Sequence, residues 1–114
     1  MKKHYLFASL FFDSCAMAGT SNGYVTSVLV TTDGGNGHGV AMFNIDGQRD
    51  NPPSCGSIHG GKSWAISLEH ESGRGIYSLI LSAHSQKRRV YVNGRGNCNS
   101  WGDREEPKYV EVYQ

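Results

Sequence analysis

Cysteines, histidines and paired carboxylates are the side chains here whose types could do chemistry, and their spacing narrows what that chemistry is. The 114 residues carry three cysteines. Cys15 falls in a leader-like N-terminus, which leaves Cys55 and Cys98 as an even pair. Neither belongs to a CxxC, and no histidine stands at metal-ligand spacing from either sulfur, so the pair reads as one disulfide. Closing a loop of that size stabilises a chain by about 4 kcal/mol in the chain-entropy model. His70 sits between Glu69 and Glu71 without an HExxH or HxH pattern, in a segment that reads as a solvated turn after a strand. Glu105 and Glu106 are adjacent on a loop before Pro107 and read as surface carboxylates. With no GxSxG elbow expected and no free cysteine left as a nucleophile, the expectation is a protein without enzymatic activity, without a metal and without a cofactor.

Lys87, Arg88 and Arg89, with Arg95 nearby and Tyr91 interleaved, form the one basic cluster. Charge mixed with aromatic residues is how single-stranded nucleic acid is held. The same cations suit the negative end of a helix, and that reading is favoured. Charge balance agrees. Residues 1–18 read as a secretory signal peptide: Lys2 and Lys3 start it, Leu6 to Phe12 form a short apolar run, and Ala16-Met17-Ala18 matches the small-x-small cleavage signal. The run is too short to span a bilayer, so membrane insertion is not expected. Lys2, Lys3 and Asp13 leave with it, and 9 Lys+Arg face 9 Asp+Glu in the remaining 96 residues. A neutral exported chain offers no electrostatic case for a nucleic-acid partner. The expected location is secreted or periplasmic, and residues 19–114 are long enough for one small domain.

The elements that position these residues follow from periodicity. Tyr24 to Thr32 is rich in β-branched residues and reads as a long first strand. The glycine cluster from Gly34 to Gly39 is a loop, and Val40 to Ile45 a second strand, giving an antiparallel hairpin. Gln48 to Lys62 reads as a loop pinned by Cys55. Trp64, Ile66 and Leu68 alternate as a third strand. From Gly75 to Gln86 the period changes: Ile76, Leu79, Ile80 and Ala83 share one helix face, with Ser72 as the cap upstream. Tyr77, Leu81 and His84 share a second face, which makes them candidates for an oligomer interface. Val90 to Val92 and Tyr109 to Tyr113 complete the strands, with Val110 and Val112 facing one way and the tyrosines the other. The order β-β-β-α-β-β predicts a mainly β domain with one helix, an OB-fold-like five-stranded barrel. A mixed α+β sheet carries the same order. Cys55 before the third strand and Cys98 after the fourth would tie the two ends of the helical unit together.

The segments Pro53-Ser54-Cys55, Trp64-Ala65-Ile66, Ile76 to Ser85, Val90-Tyr91-Val92 and Gly94-Arg95-Gly96-Asn97-Cys98 resemble a group of small secreted bacterial proteins over roughly residues 24–113. More remotely, strand order and helix placement are similar to the binding subunits of pentameric AB5 toxins of the subtilase-cytotoxin and typhoid-toxin kind. That resemblance implies a ring pentamer with its helices lining a central pore, partnered by a catalytic subunit and binding sialylated cell-surface glycans. The family's glycan site lies near the start of the first strand, here about Ser21 to Thr26. It implies that Tyr24 stacks on a sugar while Ser21 or Thr26 donates hydrogen bonds. The cysteine pattern differs from those toxins. The competing classes are an exported enzyme and a periplasmic inhibitor or immunity-type protein that binds a protein partner.

Overall fold

A computed structural model describes residues 18–113. The expected signal peptide, Ala18 apart, lies outside the described residues. The chain runs β1 (Thr20–Thr31), β2 (Val40–Ile45), β3 (Gln48–Asp50), β4 (Ser63–Ser67), α1 (Glu71–Gln86), β5 (Arg89–Gly94) and β6 (Pro107–Tyr113), with short 3-10 turns at Gly35–Gly37 and Ser54–Ser57. Among the described residues it is mainly β with one helix, as the periodicity predicts. The strands form one six-stranded antiparallel sheet in the order β4-β2-β1-β5-β6, and β3 pairs separately with β1.

β1 is long enough to serve three partners along its length. Thr20 to Tyr24 pairs with β5, and Thr20 to Asn22 also pairs with β3. Val25 to Thr31 pairs with β2, after a register shift between Val25 and Ser27. Such a bulge bends a strand and lets it turn from one partner set to another. In its first half Ser21, Gly23 and Val25 are buried while Tyr24 and Thr26 are exposed, the alternation of a half-buried strand. Gly23 is needed where the chain turns the corner after β2. A Cβ there would lie 2.0 Å from the Asp46 carbonyl oxygen.

The expected five strands become six, because Gln48–Asp50, read as loop, adds an edge strand to β1. Three polar residues carry no hydrophobic alternation, and only the neighbouring β1 backbone makes them a strand. A closed barrel is not formed by regular ladders. β4 and the segment entering β6 meet at a single parallel bridge between Trp64 and Glu105, where the Ala65 N–H donates to the Glu105 carbonyl at 3.1 Å.

The core is built by Val25, Phe43, Ile45, Trp64, Ile80, Ala83, Val90 and Val92, with Ile76, Val110 and Val112 packed against it. A smaller cluster joins Val40, Met42 and Ala65 to Trp101. α1 begins one turn earlier than the sequence suggests. His70 is its N-cap, in extended conformation, and Ser72 lies inside the first turn rather than capping it. Gly73 lets this first turn sit close against β4, where a Cβ would come within 2.1 Å of the Ser67 carbonyl oxygen. Leu79 does not share the buried face. It is 38% exposed, whereas Ile80 and Ala83 are buried. The packed stripe is centred on Gly73, Ile76, Ile80 and Ala83, about 80° round the helix from Leu79 at 100° per residue. Lys87 ends the helix in the left-handed region (φ 54°), and the Arg88 N–H donates to the Ala83 carbonyl at 3.0 Å.

Candidate functional site

Cys55 and Cys98 are disulfide-bonded, with Cα atoms 6.3 Å apart. The bridge joins the 3-10 turn before β4 to the loop after β5, the two ends that the sequence reading expected it to tie. It is a structural device, and the surface chemistry lies elsewhere.

Where β1 bends, the end of α1 and the corner after β2 converge on an open cleft of about 430 Å³, lined by Tyr24, Val25, Asp46, Ala83, His84, Lys87 and Arg88. Each wall has a local cause. The β2–β3 corner is held by a reciprocal pair: the Tyr24 N–H donates to the Asp46 carboxylate at 2.7 Å, and the Asp46 N–H donates to the Tyr24 carbonyl at 3.0 Å. Gly47, at φ 90°, makes the turn possible. Tyr24 is 42% exposed, and the Arg89 guanidinium carbon lies 5.2 Å from its ring centroid. The His84 ring places Nδ1 3.0 Å from the Val25 carbonyl oxygen, fixing the helix end against β1. Lys87 and Arg88 then project at the cleft because the helix stops there. An aromatic face, a carboxylate and two cations within one cleft suit an anionic, hydroxyl-bearing ligand.

The residues expected to contact a sugar are separated by the structure. Tyr24 is in the cleft. Thr26 is exposed one repeat further along the same face of β1, its hydroxyl 3.4 Å from the Asn44 carbonyl oxygen. Ser21 is buried and its hydroxyl accepts a hydrogen bond from the Trp64 indole N–H at 3.0 Å, so it is withdrawn from any surface site. Gly19-Thr20-Ser21-Asn22-Gly23 does spell G-x-S-x-G, contrary to the expectation that the chain holds no such motif. That pattern marks a nucleophile only on a sharp strand-to-helix turn. Here Ser21 lies within an extended strand with its oxygen occupied. Of the expected interface residues, Leu81 is 41% exposed, Tyr77 is half-buried and His84 is turned to β1. The basic cluster disperses: Arg89 reaches Tyr24, Arg95 lies 3.6 Å from Glu106, and Lys87 with Arg88 remain at the cleft.

Glu105 corrects the surface reading of the carboxylate pair. Its side chain is fully buried, with Oε1 2.9 Å from Arg49 Nη2 and Oε2 accepting from the backbone N–H of Gly19 at 3.0 Å and of Gly96 at 2.8 Å. Arg49 in turn lies over the Trp64 ring at 4.2 Å and donates to the Gly61 carbonyl. Ser21, Trp64, Arg49 and Glu105 thus form one buried polar network. Its central pair is 56 residues apart in sequence, and nothing local in either segment announces it. Asp46, in the corner next to Gly47, carries no local sequence signal of a cleft wall. Among the described residues no group of three or more His, Cys, Asp or Glu side chains is placed to hold a metal ion.

No family model, curated protein or solved structure matches the chain.

Proposed function

We propose that this protein is an exported, non-catalytic binding module that takes sialylated glycans at the Tyr24 cleft and acts as a ring-shaped oligomer of the toxin B-subunit kind. The observation that carries this reading is the convergence of Tyr24, Asp46, Lys87 and Arg88 in one cleft. A sialic acid presents a carboxylate, several hydroxyls and an apolar face. Lys87 and Arg88 supply charge-assisted donors for the first, Asp46 retains acceptor capacity for the second, and the Tyr24 ring takes the third.

The fold is read to match. We take β1, β2, β4, β5 and β6 as the five strands of an OB-type barrel, with the Trp64–Glu105 contact as its closing seam and β3 as an addition; barrels of this class bind oligosaccharides. The disulfide suits an oxidising compartment, and among the described residues no helix is long and apolar enough to cross a membrane. Leu81 and Leu79 both face outward on α1 and supply apolar surface for a second copy. A single weak sugar site becomes useful by repetition, which raises avidity by about 10² or more.

The test is a glycan array probed with the purified protein, beside Tyr24→Ala and Arg88→Glu. Sialylated glycans should be retained by the wild type and lost at least tenfold (~1.4 kcal/mol) in each variant. Absence of any bound sialoglycan, or binding that survives Tyr24→Ala combined with Thr26→Ala, ends this reading. The competing one, an inhibitor-type protein that binds a protein partner, draws on Leu29 and Val30, both exposed at the far end of β1. It predicts that Leu29→Asp abolishes partner capture while the Tyr24 variants leave it intact.

A further inference from the structure

We propose that hydrolysis of the Ala18–Gly19 bond creates an N-terminal ammonium at Gly19 that pairs with the buried Glu105 carboxylate, so that the mature chain is clamped by its own first residue. The proposal rests on the export reading, because leader removal is what frees this amine. Ala16 and Ala18 are the small residues that signal cleavage requires before the cut. In the reaction, water adds to the Ala18 carbonyl carbon and the C–N bond to Gly19 breaks. The water oxygen completes the Ala18 carboxylate, and both water hydrogens end on the Gly19 nitrogen, which becomes –NH₃⁺.

The receiving socket is already shaped for that nitrogen. Gly19 is buried, its N–H points at Glu105 Oε2 at 3.0 Å, and its carbonyl accepts from the Gly94 N–H at 2.8 Å. Glu105 Oε1 faces the Arg49 guanidinium, and Oε2 faces the Gly19 nitrogen beside the Gly96 N–H. The Asn51 carbonyl oxygen stands beside the same residue. Only glycine fits, since a Cβ at position 19 would lie 2.4 Å from Arg49 Nη1, 2.7 Å from Glu105 Oε1 and 2.8 Å from Asn51 O. As an amide the nitrogen gives this carboxylate a neutral hydrogen bond. As an ammonium it gives a charge-assisted one, in a setting where water does not weaken it. Because Gly19 is buried and β1 starts at Thr20, the cut precedes closure of the domain.

The test uses the full chain expressed with its leader in a bacterial host and the exported protein recovered from it. Intact mass and N-terminal sequencing should place the first residue at Gly19. Acylation of amines near neutral pH, followed by peptide mapping, should label the Gly19 amine at least tenfold more slowly in the native protein than in denaturant. The exposed Lys62 and Lys108 should label at similar rates in both. In Glu105→Gln that protection should fall several-fold; the wild-type comparison stands by itself if that variant does not fold. A mature start at any other residue overturns the socket and leaves export intact, whereas a chain that keeps its leader overturns both. A Gly19 amine labelled as fast in the native protein as in denaturant overturns the pairing.

Discussion

At Glu105 a full charge is buried where the two ends of the strand order meet, and the residues around it show what that burial requires. A carboxylate taken out of water must be paired and hydrogen-bonded, and this one receives Arg49 together with two backbone N–H groups. Arg49→Ala leaves the carboxylate without its cation and is expected to destabilise the fold by about 3–5 kcal/mol in urea denaturation, a large share of a small domain's stability. Ser21→Ala removes the acceptor of the Trp64 indole and should cost about 1–3 kcal/mol by the same measurement. A loss below about 0.5 kcal/mol for Arg49→Ala would mean that the network is not a unit. Little of this was legible in the sequence. Glu105-Glu106 before a proline looks like any solvated loop, and Arg49 lies in a polar run with no periodicity. Charge pairing across 56 residues leaves no local trace. Cys55 and Cys98 were legible because their count alone constrains them.

The element that separates reading from outcome most clearly is α1. Its existence and its C-terminal end followed from period and charge, and Ile76, Ile80 and Ala83 do face the core. Leu79 fell on the wrong side because a stripe drawn from four apolar residues is wider than the contact β1, β4 and β6 can cover. The centre of the packed face is marked by Gly73, a residue with no hydrophobicity to detect. Gly73→Ala should therefore be more damaging than it looks, with a thermal midpoint lower by several degrees, since its Cβ would meet the Ser67 backbone. Leu79→Asp should leave circular dichroism and the unfolding midpoint close to wild type. Leu81→Asp should do the same while lowering the sedimentation coefficient of any oligomer the wild type forms. If Leu79→Asp unfolds the chain, the placement of that side chain is wrong.

For the molecule as a whole, the disulfide and β1 divide the task of holding distant segments together. Replacing both Cys55 and Cys98 by serine should cost about 4 kcal/mol by the chain-entropy model and bring the domain near its unfolding threshold at growth temperature, checked by thermal melts of oxidised and serine forms. The hairpin of β1 and β2 was readable because its two halves are neighbours in sequence. The pairing of Thr20 with Asn93, and the seam between Trp64 and Glu105, were not, since they join segments that share no local signal. The bend in β1 carries a kinetic consequence. Its second half can zip onto β2 within microseconds, as hairpins do. Its first half must wait for β5, more than sixty residues downstream, and such non-local closure slows folding to milliseconds or longer. An emerging chain therefore spends its early life as a half-finished ribbon, with the β5 side of Ser21 to Tyr24 open to any passing strand.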